Sequence, residues 1–261
     1  MISVVVAVRE PQDAAECFGV LESSGNEIQP IVVMGAPTIL DAYREGQARA
    51  RGRFVLYLHD DVTLLSTRIE DLLEAWFRRE PDCGFIGVHG NLRRLACGIS
   101  SHAPSSEVGH QIVLDRDRIR RKMFEDPWIA RFENISHGIL NMAREVAFLD
   151  GNMLATDRKD WRFDPTSRAD FLGSYEIDVA MEAKRRGLSL FAAPFPAWHW
   201  AFGRGREPQA EAIIKRLNAQ FERINPQSIF DRWGEDLELC DFEVCGFRKM
   251  LAKRRELCRT S

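Results

Sequence analysis

Three apolar runs in the first sixty residues constrain the fold more than any other feature of the chain. They span Ile2 to Val8, Ile31 to Met34 and Phe54 to Leu58, and they are rich in β-branched residues with little polar alternation. Runs of this kind are typical of strands covered on both faces, as in a parallel sheet. The segments between them, "DAAECFGVLESS" and "TILDAYREGQARARG", have helical character. The order β-α-β-α-β predicts the nucleotide-binding half of an α/β domain.

The next segments continue this α/β pattern. Thr67 and Glu70 form a T-x-x-E capping box, which predicts a helix that runs to about Arg79. The sequence "CGFIGVHG" predicts a further strand. Residues 91–126 are rich in Gly, Ser, His and Arg, and they predict a loop-rich stretch with a hairpin around "HQIVLD".

Clearer periodicity returns in the second half. The sequence "EVAFLDGNMLA" predicts a strand that enters a turn, and "SYEIDVAMEAKRRG" predicts a helix that ends at Gly187. The sequence "LSLFAAPFPAWHW" predicts the last strand. From Glu207 onward the pattern is helical and includes a basic amphipathic stretch, "FRKMLAKRREL".

Composition excludes several classes of protein. A net charge of -3 gives no general attraction to nucleic acid or to an anionic membrane. The six cysteines contain no C-x-x-C pair, which disfavours a zinc site or a disulfide framework and favours a reducing compartment. The start, "MISVVVAV", lacks the features of a signal peptide, and no apolar stretch approaches the roughly 20 residues of a membrane span. We therefore expect a cytoplasmic protein.

An acidic pair ends the third apolar run, in the sequence "FVLYLHDDV". In open α/β sheets, ligands bind beyond the carboxyl ends of the strands, where His59, Asp60 and Asp61 are expected. Two carboxylates there suit Mg²⁺ or Mn²⁺, and a cation would relieve their repulsion. The alternative is that one acid caps the next helix. Because Thr67 already supplies a cap, we favour the cation site.

The segment "AYREGQARARGRFVLYLHDDV" resembles the pattern A-Y-N-x-G…A-R-G…F-x-H-D-D-V of family 2 type glycosyltransferases. The resemblance extends to "FIGVHG" and to "EVAFLDGNMLA…RFD…YEIDVAMEAKRRGLSLFAAPFPAWH". That family has the GT-A fold, with a mostly parallel central sheet flanked by helices. The resemblance implies a GT-A domain over residues 1–205, with a nucleotide-binding half at 1–90 and an acceptor half at 91–205. It leaves 206–261 as a C-terminal helical extension.

The resemblance also implies roles at the acidic pair. Asp61 corresponds to the main metal ligand, and Asp60 faces the ribose or shares the cation. His59 stands where many relatives have the first acid of the motif. In relatives, a histidine at the position of His199 can complete the coordination of the cation. The alternative for His199 is a hydrogen-bonded histidine packed among aromatic residues.

On the acceptor side, Glu176 falls where relatives carry the presumed general base of an inverting displacement. A carboxylate suits that role because it is ionised at neutral pH. The alternative is an acid that only stabilises the first turn of its helix. Asp178 projects about 200° away from Glu176 around the helix, so the two carboxyl groups cannot share a proton as a pair. We therefore expect a structural or acceptor-contacting role for Asp178.

The remaining implied positions contact substrate. Asp150 and Gly151 resemble the family's turn that faces donor sugar or acceptor, with a plain tight turn as the alternative; Trp198 joins this set. Where relatives often have an Asp after the second strand, this chain has Met34 and Gly35, and Arg44 replaces the usual Asn, so UDP is only the default nucleotide. The candidates for nucleotide contacts are Val8, Arg9, Met34, Gly35, Arg44 and Asp60.

The implied function is transfer of a sugar from a nucleotide-sugar to a hydroxyl group of a carbohydrate or lipid-linked acceptor, with inversion and with Mn²⁺ or Mg²⁺ on the diphosphate. One alternative is a metal-dependent phosphohydrolase, suggested by His59 and Asp60 with the other histidines. Such His-Asp pairs usually lie on helices, whereas this pair ends a strand. Another alternative is an inert nucleotide-sugar-binding relative. The basic stretch "FRKMLAKRREL" predicts either a solvated helix or peripheral contact with the inner face of a membrane.

Overall fold

The computed structural model describes residues 1–8, 12–64, 68–94, 107–109, 111–114, 143–163, 174–193, 195, 197–200, 233–234 and 237. The helices are α1 (Gln12–Ser23), α2 (Ile39–Arg49), α3 (Ile69–Arg79) and α4 (Ser174–Arg185). The strands are β1 (Ile2–Val8), β2 (Ile28–Met34), β3 (Phe54–His59), β4 (Val62–Leu64), β5 (Cys83–Gly87), β6 (His89–Asn91), β7 (Glu107–Gly109), β8 (Gln111–Leu114), β9 (Arg144–Val146), β10 (Phe148–Leu149), β11 (Met153–Thr156), β12 (Ser189–Ala192) and β13 (Ala197–Trp200).

The centre of the fold is a seven-stranded sheet in the order β2-β1-β3-β11-β5-β12-β9. Strand β1 pairs in parallel with β2 and β3, and β12 pairs in parallel with β5. Strand β11 is antiparallel to β3 and β5, and β9 is antiparallel to β12. The predicted mostly parallel α/β sheet is confirmed, because β2, β1, β3, β5 and β12 share one direction. Strand β11, from the predicted acceptor half (91–205), lies between β3 and β5 of the predicted nucleotide-binding half (1–90).

Both faces of the sheet are covered, as the continuous apolar strands predicted. Alternate residues of β1 show this, since Val4 and Val6 pack in one buried cluster and Val5 packs in another. The first cluster receives apolar side chains from α1 and α3, and the second receives them from α2 and α4. The sheet is therefore a central layer between two pairs of helices.

The start of α3 differs from the predicted capping box. The N-cap position is Arg68, in the left-handed conformation with φ 53° and with no side-chain cap. The Ile69 amide instead donates to Asn26 Oδ1 at 2.7 Å, so a distant loop supplies the capping acceptor. Thr67 lies outside the described residues. The N-cap at Arg68 does not restore the capping alternative for the acidic pair, because β4 separates Asp61 from this helix.

Most of residues 91–126, where a hairpin was predicted, lies outside the described residues. In the described part, β7 pairs antiparallel with β6, and β8 pairs with β13 in a different sheet. One further expectation about strands was wrong. The segment "LSLFAAPFPAWHW" contains two strands, β12 and β13, where one was expected. Pro194 and Pro196 lie between them, and a proline has no amide hydrogen to continue a ladder.

The small sheets position the site. Strands β4, β13 and β8 form one three-stranded sheet, and β10, β6 and β7 form another.

Apart from Trp233, Gly234 and Leu237, the predicted C-terminal helical extension lies outside the described residues. Trp233 and Leu237 pack against Ile177 and Met181 of α4. In the described part of the chain, none of the helices has the length and apolarity needed to cross a membrane.

Candidate active site

The acidic pair forms the turn that joins β3 to β4 at the carboxyl end of β3. Asp60 and Asp61 are both half-buried, and the Oδ1 atom of Asp61 is buried. Cys17 of α1 donates its thiol hydrogen to the Val62 carbonyl oxygen at 2.9 Å, and its sulfur lies 3.7 Å from the Asp60 carbonyl oxygen. The backbone on either side of Asp61 is thus attached to α1.

Helix α4 joins this edge through Tyr175 and Glu176. The Tyr175 hydroxyl group lies 2.8 Å from Nε2 of His59. The Gly151 amide donates to Glu176 Oε1 at 3.2 Å. A hydrogen bond of 3.1 Å from the His59 amide to the Asn152 carbonyl closes the link between β3 and the turn before β11. The structure therefore brings His59, Gly151 and Glu176 together, although they are far apart in the sequence.

The Glu176 carboxyl group is nearly enclosed. The residue is 6% exposed, and among the described residues its Oε2 atom has no hydrogen-bond partner. Burial raises the pKa of Glu176 well above its ordinary value, and the charge of Asp150 adds to this rise. Hydrogen bonds from the backbone amides of Glu176 and Gly151 oppose the shift but are weaker. The described surroundings therefore favour the protonated form of Glu176 more than water does.

The turn that contains Gly151 is filled by Tyr175. A Cβ atom on Gly151 would lie 1.6 Å from the Tyr175 hydroxyl oxygen, so only glycine fits there. In addition, the Tyr43 hydroxyl group lies 3.5 Å from the Gly151 carbonyl oxygen. The space beside the Gly151 Cα atom is therefore occupied by a side chain of the protein itself.

Asp150 has partners on two sides. Its Oδ1 accepts a hydrogen bond of 3.1 Å from the Asn152 amide, and its Oδ2 lies 3.4 Å from His89 Nδ1. His89 begins β6 and also accepts the Asp150 amide hydrogen on its carbonyl oxygen at 2.9 Å. His89 is one of the histidines on which the phosphohydrolase alternative rests. Its place after the strand in "FIGVHG" was the available signal.

Asp178 contacts the C-terminal part of the chain. It is 8% exposed, and its Oδ1 accepts a hydrogen bond of 2.8 Å from Trp233 Nε1. This contact supports the structural role considered for Asp178, and the acceptor-contacting role stays a prediction. Trp233 itself carried no sequence signal, because it lies 55 positions away in a region without a recognisable motif.

Three of the nucleotide-side candidates, Val8, Met34 and Gly35, lie at the carboxyl ends of β1 and β2. Val8 is register partner to Met34, which is 50% exposed, and Gly35 follows in the left-handed conformation with φ +68°. Arg44 forms an ion pair with Asp41 on its own helix, α2. Arg9 lies outside the described residues. Contacts of these residues with a nucleotide stay predictions.

Strand β13 brings the backbone of His199 to the acidic turn. His199 is register partner to Val62, the residue after Asp61, and Trp198 is partner to Thr63. Among the residues that the structure describes, no cluster of three or more His, Cys, Asp or Glu side chains forms a metal site. Asp60 and Asp61 nevertheless fit a cation of the Mg²⁺ type, which uses one or two carboxylates together with substrate phosphates and water.

The chain belongs to a glycosyltransferase family. A protein-family model described as "Glycosyltransferase like family" matches residues 3–212, most of the chain. The family resemblance and the GT-A class of α/β fold predicted from the sequence are thereby confirmed.

A comparison with curated proteins gives no match. Solved structures that are similar to this chain include two with low sequence identity. One is A197 from STIV, with 9% identity and a TM-score of 0.44 over 76% of this chain and 85% of the other. The other is the mannosyltransferase PcManGT from Pyrobaculum calidifontis in complex with GDP-Man and Mn²⁺, with 11% identity and a TM-score of 0.42 over 88% of this chain and 66% of the other.

Proposed function

We propose that this protein transfers a sugar from a nucleotide-sugar donor to an acceptor hydroxyl group, with inversion at the anomeric carbon and with Mn²⁺ or Mg²⁺. The observation that best supports this proposal is the link between the acidic turn and α4, which is made by the Tyr175 contact with His59 and the Glu176 contact with Gly151. In a chain of this family, it supports one site with a cation-binding side and an acceptor side.

On the donor side, Asp61 and Asp60 would hold the divalent cation, and Val8, Met34 and Gly35 lie at the carboxyl ends of β1 and β2, where the nucleotide would bind. When bound, the cation would stabilise the negative charge that develops on the diphosphate leaving group. UDP is the default nucleotide. The cytoplasmic location and the carbohydrate or lipid-linked acceptor stay predictions from the sequence.

On the acceptor side, Glu176 accepts the proton of the attacking hydroxyl group. Its Oε1 is held by the Gly151 amide, and its second oxygen is buried among the described residues. A raised pKa makes a carboxylate a stronger base once it is ionised, and enzymes tune catalytic carboxyl groups toward neutral pH by burial. The direction of the shift therefore supports a base.

Ligand binding gives the first test. Melting temperatures are measured with UDP, GDP and dTDP, each with and without Mn²⁺. Because ligands stabilise the folded state they bind, we expect one nucleotide and Mn²⁺ together to stabilise more than the sum of their separate effects. Asp61→Ala removes this synergy, while the exposed Asp71→Ala on α3 is the matched control. The absence of synergy with every nucleoside diphosphate contradicts the cation-dependent donor site.

Turnover gives the second test. Nucleotide sugars are screened for donor hydrolysis and transfer, with mass spectrometry as the readout. We expect Glu176→Gln to lower kcat by about 100-fold or more, as for loss of a general base, and Glu182→Gln on the same helix to leave it unchanged. Donor binding without any turnover would show the inert relative, and release of inorganic phosphate without sugar transfer would show the phosphohydrolase.

A further inference from the structure

Residues beyond the family-matched part of the chain contact the helix that carries Glu176. The match ends at residue 212, whereas Trp233 and Leu237 form a buried cluster with Ile177 and Met181 of α4. Trp233 is 9% exposed and Leu237 is 3% exposed. This cluster is separate from the two that cover the faces of the central sheet.

Trp233 makes three kinds of contact with α4. Its ring packs against Ile177 and Met181, the Arg185 guanidinium lies 4.4 Å from the ring centroid, and its Nε1 donates to Asp178 Oδ1 at 2.8 Å. A hydrogen bond to a nearly buried carboxylate is stronger than one between neutral groups. The contact is therefore directional, beyond ordinary apolar packing.

The Asp178 bond lies on the opposite side of α4 from the Glu176 bond. Positions 176 and 178 project about 200° apart on a helix. Glu176 is bonded to the Gly151 amide beside the sheet, and Asp178 is bonded to Trp233 of the C-terminal part. Two bonds on opposite sides resist rotation of the helix about its axis. They thereby fix the direction in which the Glu176 carboxyl group points.

We propose that Trp233 is a positioning residue for Glu176 and acts through Asp178, so that the C-terminal part of the chain completes the acceptor side of the active site. The kinetic half of this proposal rests on the proposed glycosyltransferase function. Misplacement of a catalytic group by about 1 Å can lower the rate about 100-fold. A loosened α4 therefore lowers kcat more than it changes the donor KM.

The test uses the full chain and the substitution Trp233→Phe, which keeps an aromatic ring in the cluster and removes the Nε1 donor. Trp76→Phe makes the same change on α3, which carries none of the candidate site residues, and it is the matched control. We expect Trp233→Phe to lower kcat by about 10- to 100-fold with the donor KM within about twofold of wild type. Asp178→Asn, which retains an acceptor oxygen, restores most of the rate relative to Asp178→Ala.

Hydrogen exchange of the α4 amides supplies a readout that does not depend on the reaction. We expect exchange over residues 175–181 to be about tenfold faster in Trp233→Phe than in Trp76→Phe. If wild type turns over no nucleotide sugar, the proposed function fails while the exchange measurement still decides whether Trp233 orders α4.

Three results would overturn the positioning role. One is unchanged α4 exchange in Trp233→Phe. Another is a lower melting temperature with unchanged kcat at temperatures where the variant is folded, which shows a structural contact only. The third is a higher acceptor KM with unchanged kcat in Asp178→Ala, which shows that Asp178 binds the acceptor directly. A Trp233→Phe/Asp178→Ala double variant that is no slower than Asp178→Ala alone supports the coupling of the two residues.

Discussion

Gly151 is required by space and not by backbone conformation. Its φ does not lie in the left-handed region, unlike that of Gly25, Gly35 or Gly187. An added Cβ atom would lie 1.6 Å from the hydroxyl oxygen of Tyr175 and 2.2 Å from its Cζ atom. Since Tyr175 also lies 2.8 Å from His59 Nε2, it cannot move without breaking that contact.

We expect Gly151→Ala to lower the free energy of unfolding by about 1–3 kcal/mol, as for overpacking of a core. Gly19→Ala is the control, because a Cβ atom there meets no atom within 4 Å and alanine favours a helix by about 0.5–1 kcal/mol. Urea unfolding of both variants measures the difference. Equal stabilities for Gly151→Ala and wild type would show that the turn is free to shift.

The buried Glu176 carboxyl group predicts a pH dependence. Its folded-state pKa is raised above the ordinary value of 4.5, so the folded protein holds this proton more tightly than the unfolded chain. The contribution of the group to stability is therefore greatest below pH 4.5 and decreases as the pH rises above that value. Glutamine in its place cannot ionise.

We expect Glu176→Gln to be more stable than wild type at pH 7 to 8, with a difference that shrinks toward pH 4.5. Melting temperatures across this range measure the difference. The half-exposed Glu182→Gln controls for loss of a charge on the same helix. A difference that does not change with pH would mean that Glu176 titrates alike in the folded and unfolded chains.

At the scale of elements, the acidic turn depends on a contact between helix and strand. Cys17 of α1 is fully buried, and its thiol donates to the Val62 carbonyl oxygen at 2.9 Å. Val62 begins β4, which in turn pairs with β13. The backbone beside Asp61 is therefore attached to α1 through Cys17 and to β13 through β4.

Substitution of Cys17 tests this attachment. We expect Cys17→Ala to lower the free energy of unfolding by about 1–3 kcal/mol and also to weaken the Mn²⁺-dependent part of nucleotide stabilisation. Cys83→Ala removes an equally buried thiol from β5, and we expect it to lower stability without affecting Mn²⁺. Paired urea and Mn²⁺ titrations separate the two effects. Equal Mn²⁺ dependence in both variants would show that the acidic turn is ordered without the Cys17 contact.

The elements were predictable where one local signal decides them. Apolar runs such as Ile2 to Val8 can be buried only in a covered sheet, and Gly187 ends α4 with φ +70° as expected. The start of α3 was not predictable, because Asn26 caps it through a tertiary contact that overrides the local T-x-x-E signal. Strand pairing across long gaps, as between β8 and β13, likewise leaves no local pattern.

The site shows the same division. Asp61 was proposed from the acidic pair at the end of a strand and Glu176 from the family resemblance, and the roles of both stay predictions. The contacts that orient them could not be predicted, since Tyr175 to His59 spans 116 positions. The raised pKa of Glu176 depends on burial, which is a property of the assembled fold.

At the scale of the whole molecule, two of the described C-terminal residues, Trp233 and Leu237, are buried against α4. Leu237 is 3% exposed and contacts the same cluster as Trp233. We expect Leu237→Ala to lower the free energy of unfolding by about 2–4 kcal/mol. Leu72→Ala is the control, because Leu72 is 47% exposed and surface changes stay within about 0.5 kcal/mol. Similar unfolding curves for the two variants would mean that the C-terminal part unfolds separately.

The contact between Gly151 and Tyr175 has a consequence for sequence divergence. The phenol ring fills the volume that any side chain at position 151 would need. A larger residue at 151 is therefore compatible only with a smaller residue at 175, and either substitution alone gives a destabilised protein. Among homologues, we expect these two positions to covary, and an alignment in which they vary independently would show that the turn is built differently in those relatives.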